Sequence, residues 1–279
     1  MTFPKLKIFG KIRITEAHSN VAEIRLRAGK PSVVVDIFGN MKICSDVITT
    51  EDINECFSEI CRYSLHSFQG EIAQGFVTLD GGHRVGICGT VVKNGDNIEF
   101  IKNVSGLNVR FAREVVGCAD ELYNRLFSVE PCSLLLGGKP LSGKTTVLRD
   151  LARKLGADNR VSVIDSRNEI AACVGGEPTL DVGLNTDVLC GCGKAEGIMM
   201  ALRSMSPQYI ICDEIAHDER AVEEALFCGV KVIASVHASG IEDMKHRFGN
   251  ASMLKYFDYL TIIGKCGKIA EVKRGGEAL

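Results

Sequence analysis

Residues 138–145 read GKPLSGKT, and no other stretch restricts what this chain can fold into so tightly. They fit G-x-x-x-x-G-K-[ST], which works only where a strand feeds a tight turn that opens a helix. The flanks comply. Residues 133–136 (SLLL) form an apolar strand, and residues 146–153 (TVLRDLAR) read as a helix. Glycines in such a turn let successive backbone N–H groups point into one concavity, and the positive end of the helix dipole adds to it. That concavity suits the phosphates of ATP and its Mg2+. The cradle is expected to comprise Gly138, Lys139, Pro140, Leu141, Ser142, Gly143, Lys144, Thr145 and Thr146. Lys144 would face the β- and γ-phosphates as a point charge, and the Thr145 hydroxyl would ligate Mg2+.

A phosphate cradle needs a carboxylate at a nearby strand end. Residues 208–214 (QYIICDE) form an apolar strand ending in two acids. Asp213 would hold Mg2+ through its water shell, and Glu214 would polarise the attacking water as general base. Asp165, closing the run 161–165 (VSVID), is the other candidate, although a strand-terminal Asp is also a common capping residue. Glu169 lies just beyond it. His237 ends the strand 232–236, where it is expected either to sense the γ-phosphate or to serve as a loop residue. Arg203 precedes the Asp213 strand on a helix and either pairs with an acid or faces solvent.

From residue 132 onward, short apolar stretches alternate with helices. Strands are expected at 132–136, 161–165, 208–213, 231–236 and 259–263, an order that builds a mostly parallel sheet covered on both faces. The first third reads differently. Strands are expected at 32–38, 41–44, 75–79, 84–92 and 98–101, with hairpin turns at Asp80-Gly81-Gly82 and Asn94-Gly95-Asp96. Ile53, Cys56, Phe57, Ile60 and Cys61 repeat with helical spacing, and Thr49 or Thr50 can cap that helix. Residues 108–114 read as a connector. The fold class is therefore α/β, with a smaller α+β domain over 1–112 and the main domain over 113–279.

The chain has 279 residues, a net charge of −2 and twelve cysteines. Cys88, Cys132, Cys212 and Cys228 sit in apolar runs as small hydrophobes. Cys190-Gly-Cys192 lacks a second pair at zinc spacing, so no zinc is expected. No stretch reaches the roughly 18 apolar residues of a membrane helix, and the first ten residues lack a signal-peptide core. A reduced, cytoplasmic protein is the expectation. Lys5, Lys7, Lys11 and Arg13 form a basic strip that reads most simply as a solvated face.

Further motifs carry a resemblance. Residues 202–215 (LRSMSPQYIICDEI) and 219–226 (ERAVEEAL) are similar to the secretion-ATPase pattern, and 234–238 (ASVHA) resemble its histidine box. Residues 23–27 (EIRLR), 75–89 (GFVTLDGGHRVGICG) and 194–200 (KAEGIMM) resemble the stage III sporulation AA family. The resemblance implies a RecA-like P-loop NTPase core that hydrolyses ATP in the mother-cell cytoplasm of an endospore former. It further implies a homo-oligomeric ring, expected as a hexamer, held at the membrane by embedded sporulation channel proteins. By the same resemblance Lys144 and Thr145 carry over as Walker A, Asp213 and Glu214 as Walker B, and His237 as the histidine box. A neighbour would supply a catalytic arginine, Arg113 first, with Arg110 and Arg84 behind it. Two departures stand out. In 165–170 (DSRNEI), Ser166 replaces an acid of the family pattern, while Arg167 and Glu169 match it; Lys139 replaces a proline beside the phosphates.

Three function classes meet this pattern. A mechanical ATPase moving partner proteins fits best. A nucleic-acid-dependent P-loop ATPase is the alternative, but the chain has no tryptophan, a negative net charge and no aromatic-and-basic stretch, so no nucleic acid is expected. A small-molecule kinase would need an arginine-rich lid, and residues 213–264 hold only Arg220 and Arg247.

Overall fold

The computed structural model describes residues 4–13, 20–95, 97–112, 114–215, 218–248, 253–264 and 267–277. The chain divides into two compact units, Met1–Arg113 and Glu114–Leu279.

The amino-terminal unit contains α1 (Lys7–Lys11), β1 (Val21–Arg27), β2 (Lys30–Asp36), β3 (Met41–Ile48), α2 (Thr50–Ile60) and α3 (Gln69–Ala73). β4 (Phe76–Leu79), β5 (His83–Asn94) and β6 (Asn97–Arg110) complete it. Among the described residues its strands make one sheet in the order β3-β2-β1-β6-β5-β4, antiparallel throughout. Helix α2 starts at a capping box. The Thr49 hydroxyl accepts from the Asp52 N–H at 3.1 Å, and the Asp52 carboxylate accepts from the Thr49 N–H at 2.7 Å. It buries Ile53, Cys56 and Ile60 in a core shared with Ile24 and Leu26 of β1 and Leu107 and Val109 of β6. The basic strip lies against the acids of α2: Lys7 pairs with Glu55 at 2.8 Å, and Lys11 pairs with Asp52.

Two differences from the sequence reading have one cause. β1 is a strand that reading did not expect, and β6 runs through Asn108 to Arg110, where it placed a connector. The two strands pair with each other, Ile24 opposite Val109 and Glu23 opposite Arg110. Both show charged or polar residues alternating with buried apolar ones, the period-two pattern of a sheet with one wet face. Polar residues there mark a face, not a loop.

The carboxyl-terminal unit opens with α4 (Asp120–Leu122), continued by a wider turn over Tyr123–Phe127. Then follow β7 (Leu134–Gly138), α5 (Lys144–Leu155), β8 (Val161–Asp165), β9 (Thr186–Cys190) and α6 (Lys194–Ser204). β10 (Tyr209–Cys212), α7 (Glu219–Phe227), β11 (Lys231–His237), α8 (Ile241–Arg247), β12 (Tyr259–Ile263) and β13 (Ile269–Arg274) complete the order. The sheet runs β13-β12-β7-β11-β10-β8-β9, parallel except where β13 pairs with β12.

Burial on both faces explains the continuous apolar runs. Leu134 and Leu136 of β7 pack with Val147, Leu148 and Leu151 of α5, while Leu135 packs with Ile198 of α6 and Val222 of α7. Full burial of each such leucine stabilises the fold by roughly 1.5–3 kcal/mol. The edge strands β9 and β13 were not expected from the sequence. Each is only half covered and carries Asp187, or Glu271 and Lys273, so the apolar signal is diluted. No helix among the described residues is long and apolar enough to cross a membrane.

Candidate nucleotide site

The site lies where the parallel strands end. β7 runs into residues 139–143 and then α5, and its last residue, Gly138, stands in register with His237 of β11. β11 separates β7 from β10, so His237 sits between the phosphate-loop motif and the acid pair that follows β10.

The loop's shape depends on its glycines. A Cβ on Gly138 would come within 2.4 Å of the Ser142 hydroxyl and 3.1 Å of the Ile263 carbonyl. Gly143, which precedes α5, has φ of +100°, and Leu141 at the exposed tip has φ of +62°. The buried Ser142 hydroxyl has no hydrogen-bond partner among the described residues. Lys139 and Pro140 are exposed, and Thr146 is half-buried.

Lys144 is buried, and its ammonium donates to the Gly138 and Lys139 carbonyls at 3.1 and 3.4 Å. It also lies 3.1 Å from His237 Nδ1. Burial pulls the lysine pKa below its ordinary value, against the opposing charges of Asp213 and Glu214.

The acids are fixed one by one. The Thr145 hydroxyl donates to Asp213 Oδ2 at 2.6 Å, and the Ser235 hydroxyl donates to Asp213 Oδ1. Ser235 also accepts from the Glu214 N–H at 3.0 Å, which holds Glu214 in a left-handed backbone conformation, φ +48°. The Glu214 carboxylate is gripped at both oxygens: His237 Nε2 lies 2.5 Å from Oε1, and Arg167 pairs with Oε2.

Asp165 is differently engaged. Its carboxylate accepts the backbone N–H groups of Glu169, Ile170 and Ala171 at 2.8, 2.9 and 2.8 Å. Burial pushes its pKa up, those three donors oppose the shift, and the charge of Asp213 adds to it. It is the cap of its own loop. Arg149 of α5 holds the same loop, donating to the Ile170 carbonyl at 2.5 Å and the Glu169 carbonyl at 2.6 Å.

The structure thus brings together Lys144, Thr145, Asp213, Glu214 and His237. Glu169 is half-buried on the Asp165 loop, and Arg203 is exposed on α6. Arg113 lies outside the described residues. In the amino-terminal unit, Arg110 approaches Glu23 at 3.4 Å and Arg84 lies 4.1 Å from the centroid of the Phe76 ring. Sequence reasoning missed Ser235 and Arg149. A serine inside the apolar run of β11, and an arginine one turn after Thr145 on the buried side of α5, were the available signals.

A mostly parallel sheet with this phosphate loop defines a RecA-like P-loop NTPase core. The fold matches the ATPase DotB of Legionella pneumophila over 94% of this chain and 78% of that one, with a TM-score of 0.59 and 17% identity. It matches the pilus retraction motor PilT, solved with bound ADP, over 94% and 78%, with a TM-score of 0.61 and 17% identity. The family "Sporulation stage III, protein AA" matches residues 6–276, and this chain belongs to it. Stage III sporulation protein AA of Bacillus subtilis (strain 168) is 38% identical over 235 residues, 81% of this chain and 76% of that protein.

Proposed function

We propose that this chain is a magnesium-dependent ATPase that couples hydrolysis to movement of partner proteins. The observation that carries the reading is the Thr145–Asp213 contact at 2.6 Å, with Glu214 next in sequence and Lys144 one residue before Thr145. A hydroxyl and a carboxylate converging beside a buried lysine suit a metal–triphosphate better than any neutral ligand. The unpartnered Ser142 hydroxyl and the absence of room for a Cβ at Gly138 fit close approach of phosphate oxygens. Thr145, and Asp213 through water, would hold Mg2+, which neutralises charge on the phosphates when bound.

The chain's own groups supply the rest. Backbone N–H groups from Gly138 to Thr146 orient the phosphates, and Lys144 faces the β- and γ-phosphates. Glu214 accepts the proton of the attacking water. His237, in contact with both Lys144 and Glu214, reports γ-phosphate occupancy to the base. In this reading residues 113–279 are the ATPase domain, and residues 1–112 are a smaller domain facing a neighbouring subunit. On this reading the chain forms a hexameric ring, as its likeness to secretion ATPases implies, and works in the mother-cell cytoplasm docked on membrane-embedded sporulation channel proteins. Membership of the sporulation stage III AA family supports the sporulation role.

Adding single-stranded DNA or RNA to the purified protein tests the reading against a nucleic-acid-dependent ATPase. Turnover is expected to stay unchanged. A rate that emerges only with nucleic acid would overturn the motor reading.

A ring also calls for a shared site, with an arginine from one subunit meeting the base of the next. Arg113 is the first candidate, followed by Arg110 and Arg84. Mixing inactive Glu214→Gln protein with inactive Arg113→Ala protein is expected to restore turnover, because some interfaces pair an intact base with an intact arginine. Such a finger contributes on the order of 10³ to 10⁵ in rate, so recovery stands well above assay noise. A mixture that assembles yet stays silent would make each subunit self-contained.

A further inference from the structure

Arg167 has no part in the mechanism above, yet it reaches the central carboxylate. It lies on the loop after β8, half-exposed, and pairs with Glu214 Oε2 while His237 holds Oε1. The loop that carries it is fixed at both ends. Asp165 caps the N–H groups of residues 169–171, and Arg149 binds the carbonyls of Glu169 and Ile170. Asn168, itself left-handed at φ +54°, bonds both the N–H and the carbonyl of Cys173, at 2.5 and 2.7 Å.

We infer that Arg167 is a positioning residue for Glu214: it fixes the plane and aim of the carboxylate that takes the proton from water. The inference rests on the reading of Glu214 as general base. One donor per oxygen leaves a lone pair on each carboxylate oxygen, so this grip orients the base without blocking it. Because Arg149 belongs to α5, the helix that carries the phosphate loop also sets the loop that aims the base. Phosphate cradle and base are thereby held in one frame through the chain Thr145–α5–Arg149–Glu169–Arg167–Glu214.

A general base misplaced by about 1 Å loses on the order of a hundredfold in rate. Arg167→Ala is accordingly expected to slow single-turnover ATP hydrolysis tenfold to a hundredfold, as an order-of-magnitude range under the same principle. Retention of labelled ATP and the heat-unfolding midpoint should match wild type. Arg167→Lys, which keeps the charge but not the planar fork, should recover part of the rate. The telling readout is the double variant: added to Glu214→Gln, Arg167→Ala should cost nothing further, since it acts only through that carboxylate. Wild-type hydrolysis by Arg167→Ala, an equal loss in both backgrounds, or loss of ATP retention would each overturn the inference while leaving the base assignment standing. Glu214→Gln hydrolysing at the wild-type rate would instead bring down the base reading itself, and this inference with it.

Discussion

Lys144→Ala is expected to lose ATP binding and turnover together while the protein stays folded. The ammonium is buried under the loop and held by two backbone carbonyls at 3.1 and 3.4 Å, 3.1 Å from His237 Nδ1. Truncation removes the positive side chain at the centre of the cradle and leaves a small neutral methyl. A hydrogen bond to a charged group contributes about 1.5–3 kcal/mol, so losing one contact to phosphate weakens affinity roughly tenfold to more than a hundredfold. Turnover falls further, because charge builds on the phosphates as the bond breaks. Stability should suffer little, since burying the ammonium already disfavours its charged form. Labelled-ATP binding, phosphate release and heat unfolding together check this. Near wild-type hydrolysis by the variant would remove the phosphate-loop assignment.

The two acids after β10 should separate cleanly. Glu214→Gln keeps the side chain's shape but removes the proposed base, so ATP is expected to be retained while turnover drops on the order of 10² to 10⁴-fold, the usual range for a positioned acid or base. Asp213→Asn acts elsewhere. Its carboxylate receives hydroxyls from both Thr145 and Ser235, and an amide turned toward either hydroxyl would present N–H where an acceptor is needed. Magnesium-dependent ATP binding should weaken in that variant, and with it turnover. Equal binding defects in the two variants would contradict this division of roles.

How far the sequence reveals this molecule depends on the range of the interaction involved. The phosphate-loop motif is a local pattern of eight consecutive residues, and β8 and β12 span the residues read from their apolar runs. Pairing order is not local. That β11 slots between β7 and β10, putting His237 beside both Gly138 and Glu214, depends on pairing across the chain: Ile233 lies opposite Leu134, far back in the sequence, as well as opposite the nearer Ile211. Roles played through backbone atoms are equally hidden. Arg149 binds carbonyls some twenty residues on, and carbonyls carry no residue identity to read. Asp165 illustrates the same limit from the other side: as a letter it was one of two acids ending strands, and only its three N–H donors mark it as a cap. Half-buried strands such as β1, inside its sheet, and β13, at an edge, mix charge with apolar residues, and alternation is the signal they leave.

The groups gathered around Thr145 and Asp213 are expected to hydrolyse ATP. Phosphate release by the purified wild-type chain, measured with Mg2+ and again with the metal chelated, tests it most directly. Release is expected to require Mg2+ and to be lost in Glu214→Gln, although that variant still retains ATP. Wild-type protein that binds ATP and Mg2+, assembles, and yet releases no phosphate above the Glu214→Gln background would contradict it.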